Sequence, residues 1–275
     1  MRILITNDDG YRSEGIRTLL RAAEKIGEVI VVAPEDQQST MSNALTLYTP
    51  IQCKRIQGGF IVGGTPADSV IMATNQLIEG EIDLCLSGVN HGANLGEDVL
   101  YSGTVAAAME AAFAGIPSVA ISHGGAVMEE ISQWTEKLCE LISKMLEGDV
   151  LKKGVLYNVN LPEVLPSQVK GVRMTSLGSR RYTNSIRKTT SYDGTDCYFD
   201  FSKYSIGYER PLIKKKSKIN YYYLYQTQFY NKYFTEFDLE LNGFKIKYSN
   251  NNKYNKYNIS LTLFDAQNIT RNDET

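Results

Sequence analysis

Asp8 and Asp9 are adjacent carboxylates in a turn-like NDDG that closes a short apolar run, RILIT at 2–6. Two anions forced together repel, and a divalent cation between them removes the repulsion. Oxygen donors suit a hard cation: Mg2+ or Mn2+ first, with Ca2+ also accommodated. With only 2 histidines in the chain, His91 and His123, a histidine-rich zinc site is not indicated. Read alone, Asp-Asp-Gly is more readily a simple turn closed by an Asx-type hydrogen bond.

A second candidate region reads SGVNHGANLGEDVLYSGT over 87–104, with Gly88, Gly92, Gly96 and Gly103, Asn90 and Asn94, and a Ser102-Gly103-Thr104 start to an Ala-rich helix. A helix N-terminus offers unpaired N–H groups and a partial positive charge, which together favour phosphate. Glycine lets backbone approach an anion, and the hydroxyls of Ser102 and Thr104 can donate. The alternative is a glycine-rich loop with an ordinary hydroxyl cap. The segment lacks the lysine of a Walker motif and the spacing of a dinucleotide fingerprint. A third turn, QQSTMSNALTL at 37–47, offers the Ser39 hydroxyl as a ligand and the Asn43 amide to a substrate, or uses both locally. No Gly-x-Ser-x-Gly elbow is present, and neither histidine lies near a plausible nucleophile, so serine and cysteine acyl-transfer chemistries are not supported.

The elements that position these turns alternate between strand and helix. Apolar runs at 2–6, 29–33, 82–87, 118–122 and 155–160 read as buried strands. Helical spacing appears at 16–26, 103–114 and 128–146, and Thr65-Pro66-Ala67-Asp68 has the hydroxyl cap, proline and early acid of a helix start. Such alternation predicts an α/β fold, a Rossmann-like doubly wound and mainly parallel sheet, over residues 1–165. In such sheets ligands bind outside the carboxyl ends of the strands. The turns at 7–10, 35–39 and 87–90 each follow a predicted strand and would line one rim. Convergence on that rim is a stronger argument than any single motif.

Composition narrows the remaining classes. The chain has 275 residues, 43% of them hydrophobic, and a formal net charge of −2, which gives no whole-chain case for nucleic acid. No apolar run reaches the length of a membrane span, and no signal-like N-terminus precedes Asp8. Cys53, Cys85, Cys139 and Cys197 are too dispersed for a Cys-x-x-Cys pair, so free thiols and a cytoplasmic location are expected. Eleven of the 18 tyrosines lie beyond residue 200, so that end is compositionally biased. Residues 1–200 are therefore taken as the α/β domain. Residues 201–275 are taken as a Tyr-, Lys- and Asn-rich C-terminal β-hairpin or extended arm, either part of the same domain or an oligomerisation element. β-prone runs occur there at 244–248 and 259–264. KKKSK at 214–218 beside the tyrosines at 221–225 offers charge and stacking surface to RNA, but a solvated charge run beside a packed arm is the reading preferred for a non-basic chain.

In order along the chain, MRILITNDDG (1–10), VVAPEDQQS (31–39) with NALTL (43–47), GGTPADSV (63–70), SGVNHGANLGEDVLYSGTVAAAME (87–110), GIPSVAIS (115–122) and NVNLP (158–162) resemble the SurE family, stationary-phase survival proteins that are 5′-nucleotidases. The resemblance implies a metal-dependent phosphomonoesterase acting on nucleoside 5′-monophosphates, extending to 3′-monophosphates and polyphosphate. It implies one divalent cation held by Asp8, Asp9, Ser39 and Asn90, with Asp8 and Asp9 catalytic. Phosphate would bind Asn43, Asn94, Ser102, Gly103 and Thr104, and the chain would form a homodimer or homotetramer. Thr40 departs from the family, which generally has glycine after the ligand serine. DGTDCYF at 193–199 matches only loosely, and beyond 200 Asp238-Leu239 and Gly243-Phe244 stand as remnants of the usual ending. The rival is a nucleotide- or sugar-phosphate-binding α/β protein without catalysis. It would share the phosphate loop but would not need two adjacent acids with Ser39 and Asn90.

Overall fold

The computed structural model describes residues 1–124, 128–178, 181–183, 186–190, 196–200, 203–205 and 259–265. The expected lysine run at 214–218, the tyrosines at 221–225 and the β-prone run at 244–248 lie outside the described residues.

Strand β1 (Arg2–Thr6) leads through the Asp turn into helix α1 (Glu14–Ala23) and strand β2 (Glu28–Pro34). Ser13 caps α1 by accepting from the Ile16 N–H, and Ile16, Leu19, Ala22 and Ala23 form its buried stripe. A tight hairpin follows, β3 (Cys53–Ile56) and β4 (Gly59–Val62), which sequence periodicity did not reveal because β3 is almost wholly exposed. Helix α2 (Pro66–Met72) starts at the expected Thr65 cap: the Thr65 hydroxyl accepts from the Asp68 N–H, and the Asp68 carboxylate accepts from the Thr65 N–H. This reciprocal box satisfies two of the helix's otherwise orphaned donors.

Strand β5 (Leu84–His91) runs on through Ser87-Gly88-Val89-Asn90, which the sequence reading had placed in a turn after the strand. The correction has a packing cause: the neighbouring strand keeps pairing, Asn90 with Ser122 and His91 with His123, past an irregularity between Gly88 and Asn90. Gly88 permits this with φ +134°, where a Cβ would lie 2.2 Å from the Ile121 carbonyl oxygen. Next come α3 (Asp98–Tyr101), α4 (Gly103–Phe113), β6 (Ser118–His123), α5 (Thr135–Glu147), β7 (Leu156–Leu161) and β8 (Val169–Thr175). The helix expected at 128–146 begins instead as a 3-10 segment, Met128–Trp134, whose terminal Trp134 is buried edge-on to the His123 ring at 5.8 Å. Short strands β9 (Arg181–Thr183) and β12 (Lys203–Ser205) pair antiparallel, as do β10 (Ile186–Thr190) and β11 (Asp196–Asp200). Strand β13 (Ile259–Asp265) enters the main sheet between β7 and β8.

The main sheet has nine strands in the order β3-β4-β2-β1-β5-β6-β7-β13-β8, and all neighbours are parallel except the two edge pairs β3–β4 and β13–β8. The expected doubly wound α/β fold is thus observed. One face packs on α1 and α5 through Ile3, Ile5, Leu19, Leu86, Ile121, Leu138 and Val159. The other packs on α2 and α4 through Leu4, Val32, Val70, Cys85 and Ala107, and through Ala108, Ala120 and Leu156. Chain order reverses between β1 and β5, since β2 lies on one side of β1 and β5 on the other. A ligand crevice belongs at that switch point.

Candidate active site

Asp8 and Asp9 leave β1 at this switch point. Asn7, wholly buried, shapes their turn by donating to the Gly10 carbonyl and the Ser13 hydroxyl, each at 2.9 Å. Gly10 closes the turn at φ +87°, a left-handed conformation that favours glycine. Asp8 is only 4% exposed. Its Oδ1 accepts from the Thr104 hydroxyl, and the Thr104 backbone N–H also donates to the carboxylate. The positive end of α4 therefore points at Asp8, and Gly103 makes room: a Cβ there would lie 2.8 Å from Asp8 Cβ. Burial nonetheless dominates and pushes the Asp8 carboxyl up to about 6, with Thr104 opposing and the Asp9 charge adding to the rise. Asp9, half-buried, is also raised by burial. Its Oδ2 accepts from the His91 N–H at 3.0 Å, which works the other way.

Two hydrogen bonds stitch the other rim turns to this pair. The His91–Asp9 bond brings Asn90 alongside, and the Gln38 N–H donates to the Asp8 carbonyl at 2.7 Å, bringing the 37–39 turn alongside. The Asn90 amide donates to the Gly92 carbonyl at 2.7 Å, so its Oδ1 is the atom left for a ligand. Ser39 is exposed, and its Oγ accepts from Gln37 at 2.8 Å. Thr40 and Ser42 adopt φ +61° and +51°, so Thr40 holds the left-handed conformation its family position usually gives to glycine.

This donor set fits one hard divalent cation. Two crowded carboxylates, one of them buried, have no Lys or Arg ion-pair partner among the described residues. Nor do three His, Cys, Asp or Glu side chains cluster there. Neutral oxygens from Ser39 and Asn90 would complete an oxygen-rich set of the kind Mg2+, Mn2+ or Ca2+ accepts.

The residues expected at the phosphate divide into two groups. Ser102 caps α4 by accepting from the Val105 N–H at 3.1 Å, and Gly103 abuts Asp8. Thr104 is wholly buried with its hydroxyl on Asp8, so it orients the carboxylate rather than presenting that hydroxyl to solvent. Asn94 is buried at the same rim, donating through Nδ2 to Ser122 Oγ at 2.8 Å. Asn43 stands apart: it is exposed, and its amide reaches Met109 Sδ, two turns into α4. The sequence reading missed Asn7, the His91 N–H, and the amides of Asn158 and Asn160. The signal for the last two was two asparagines in phase on an otherwise apolar, buried strand, where amides need partners.

Fold and rim together define a doubly wound α/β protein with an acidic, oxygen-donor site at the sheet's switch point. The family model described as Survival protein SurE matches residues 3–184. A "5′-nucleotidase SurE" of Methylococcus capsulatus is 41% identical over 200 residues, covering 72% of this chain and 79% of that protein. One of the same name from Gemmatimonas aurantiaca is 42% identical, covering 71% and 79%. The crystal structure of the SurE protein from Aquifex aeolicus superposes with a TM-score of 0.64 at 35% identity, covering 74% of this chain and 83% of that one. The chain belongs to the SurE family.

Proposed function

We propose that this chain is a 5′-nucleotidase: a divalent-cation-dependent phosphomonoesterase that hydrolyses nucleoside 5′-monophosphates to nucleoside and phosphate, with 3′-monophosphates and polyphosphate as further substrates. The observation that carries the reading is the buried Asp8 carboxylate beside Asp9 at the switch point, with no Lys or Arg ion-pair partner among the described residues. Relatives about 40% identical are named for that activity.

Asp8, Asp9, Ser39 and Asn90 would hold one Mg2+ or Mn2+. When bound, the cation supplies positive charge for the phosphate oxygens and acidifies water. Thr104 fixes Asp8 through its hydroxyl and N–H, so Asp8 serves as a rigid holder. Asp9 has one oxygen occupied by the His91 N–H and the other available. That Oδ1 orients the attacking water and takes its proton as the new O–P bond forms, while the ester P–O bond breaks and the leaving nucleoside oxygen takes a proton from solvent. The Ser102–Gly103 start of α4, with Asn94, would surround the phosphate and stabilise charge on its equatorial oxygens, and Asn43 would join them on leaving Met109 Sδ.

A homodimer or homotetramer and a cytoplasmic location complete the proposal, the latter resting on the free thiols of Cys53, Cys85 and Cys139. No helix among the described residues is long and apolar enough to cross a membrane. The test is inorganic phosphate release from a panel of nucleoside 5′- and 3′-monophosphates, first with EDTA, then with Mn2+ or Mg2+ restored. Release lost on chelation and regained with metal supports the reading. Nucleotide binding without release under any metal would establish the non-catalytic alternative.

A further inference from the structure

NVNLP at 158–162 carries two buried asparagines whose roles the reaction described above does not use. Strand β7 sends Tyr157, Val159 and Leu161 to the α1/α5 face, whereas Leu156 packs under α4. Asn158 and Asn160 alternate with the former and so share the Leu156 face, where an amide without a partner is costly. Both turn to one residue of the loop after β5: Asn158 Nδ2 donates to the Asn94 carbonyl at 2.8 Å, and Asn160 Nδ2 to the same oxygen at 3.2 Å. Asn160 Oδ1 in turn accepts from the Asn94 N–H at 2.8 Å, so one side chain brackets both backbone polar groups of Asn94. The Asn94 side chain is then aimed by Ser122 Oγ.

The loop has a second anchor upstream, where the Gly92 N–H donates to the His123 carbonyl at 2.9 Å and the Gly92 carbonyl receives the Asn90 amide. The 90–94 segment is thus fixed at one end on β6 and at the other on β7. Asn90, on the metal side, is held by the first anchor. Asn94, on the phosphate side, is held by the second.

We propose that Asn158 and Asn160 are positioning residues for substrate phosphate: they clamp the Asn94 backbone so that the side-chain Nδ2 hydrogen not used by Ser122 meets the phosphate, without a part in holding the metal. The inference rests on the assignment of Asn94 under Proposed function. With Asn160 replaced by Leu, similar in shape but without hydrogen-bonding groups, the Asn94 N–H loses its partner and its carbonyl keeps only Asn158.

The experiment measures binding of inorganic phosphate to Mn2+-supplemented full-length protein by calorimetry, with KM and the half-activating Mn2+ concentration alongside. Wild type, Asn94→Ala, Asn160→Leu and the double variant complete a cycle. The expected result is phosphate affinity weakened about five- to tenfold by Asn160→Leu, a parallel rise in KM, and Mn2+ activation changed by less than about twofold. In the Asn94→Ala background the same change adds less than about twofold. Unchanged phosphate affinity in a folded Asn160→Leu protein, or full additivity with Asn94→Ala, overturns the clamp alone. An Asn94→Ala variant that binds phosphate normally overturns the Asn94 assignment and the clamp together. Should Asn160→Leu not fold, Asn160→Asp keeps the acceptor for the Asn94 N–H and loses the donor. It is expected to weaken phosphate binding in the same direction, and normal binding by that variant overturns the clamp.

Discussion

Two loops flank the Asp8–Asp9 turn, and they are held in opposite ways. The loop after β5 is short and buried at its centre, residues 94–96, and amides of β7 fix its backbone at Asn94. The loop after β2 is long and exposed, with Leu47 at 69% and Tyr48 at 97% exposure, and it carries non-glycine residues in left-handed conformations at Thr40 and Ser42. It is tied from outside. Ser42 donates to the carbonyls of Leu100 and Tyr101. Thr46 donates twice to Asp68, and Thr65 donates to the Ala44 carbonyl. The α2 capping box therefore serves twice, as a helix start and as a clasp on the loop that carries Ser39 and Asn43. The contrast separates a side of the rim whose backbone is bracketed by buried amides from a side that is tethered at its edges and carries left-handed non-glycine residues.

The largest effect should come from the turn both loops serve. Asp8→Ala is expected to lower phosphate release on the order of a thousandfold while leaving the circular dichroism spectrum intact, and an active Asp8→Ala protein would break the site assignment. Next is pH. The folded-state Asp8 carboxyl stands at about 6 against an ordinary 3.8. Proton binding therefore favours the metal-free folded state between those values, and stability falls as pH rises through that window. The full difference is about 3 kcal/mol, of which roughly half falls between pH 5 and pH 7.5. Urea unfolding of EDTA-treated protein at pH 5 and pH 7.5 should show that slope in wild type and a reduced slope in Asp8→Asn; equal slopes would contradict it. On the tethered side, Asp68→Ala removes acceptors from Thr46 and Thr65 and is expected to cost about 2 kcal/mol, read from the urea midpoint. It should also weaken activity more through KM than the fold loss alone explains. The smallest effect sharpens the contrast: Thr40→Gly should stabilise by about 1 kcal/mol, because glycine adopts φ +61° without strain. A destabilised Thr40→Gly protein would show that this loop is relaxed.

What the sequence made legible were features with local signatures. The β1 run and its Asp turn, the Thr65 capping box and the Ser102 start of α4 each occupy a few consecutive residues with their physical reason in view. Asp8 and Asp9 were read from charge crowding together with the convergence of three turns on one rim and the family resemblance. What escaped needed partners distant in the chain. Asn94 and Asn160 are 66 residues apart, and nothing near either one indicates the other. The run of β5 past Ser87 depends on β6 continuing beside it. Thr104 read as a phosphate donor from its place in the loop, whereas the fold turns its hydroxyl onto Asp8. The exposed β3 lacked the apolar alternation that marks a half-buried strand. The run at 259–264 was legible as β-prone, but its insertion between β7 and β8 was not, because a strand carries no label for its neighbour.

The central claim is that Asp8 and Asp9 exist to hold a divalent cation at the switch point, and direct measurement of Mn2+ binding tests it without reference to substrate. Wild-type protein stripped with EDTA and titrated with Mn2+ by calorimetry at pH 7.5 should bind about one ion per chain, and Asp8→Asn should lose that binding while remaining folded. Undiminished Mn2+ binding by a folded Asp8→Asn protein would contradict the account.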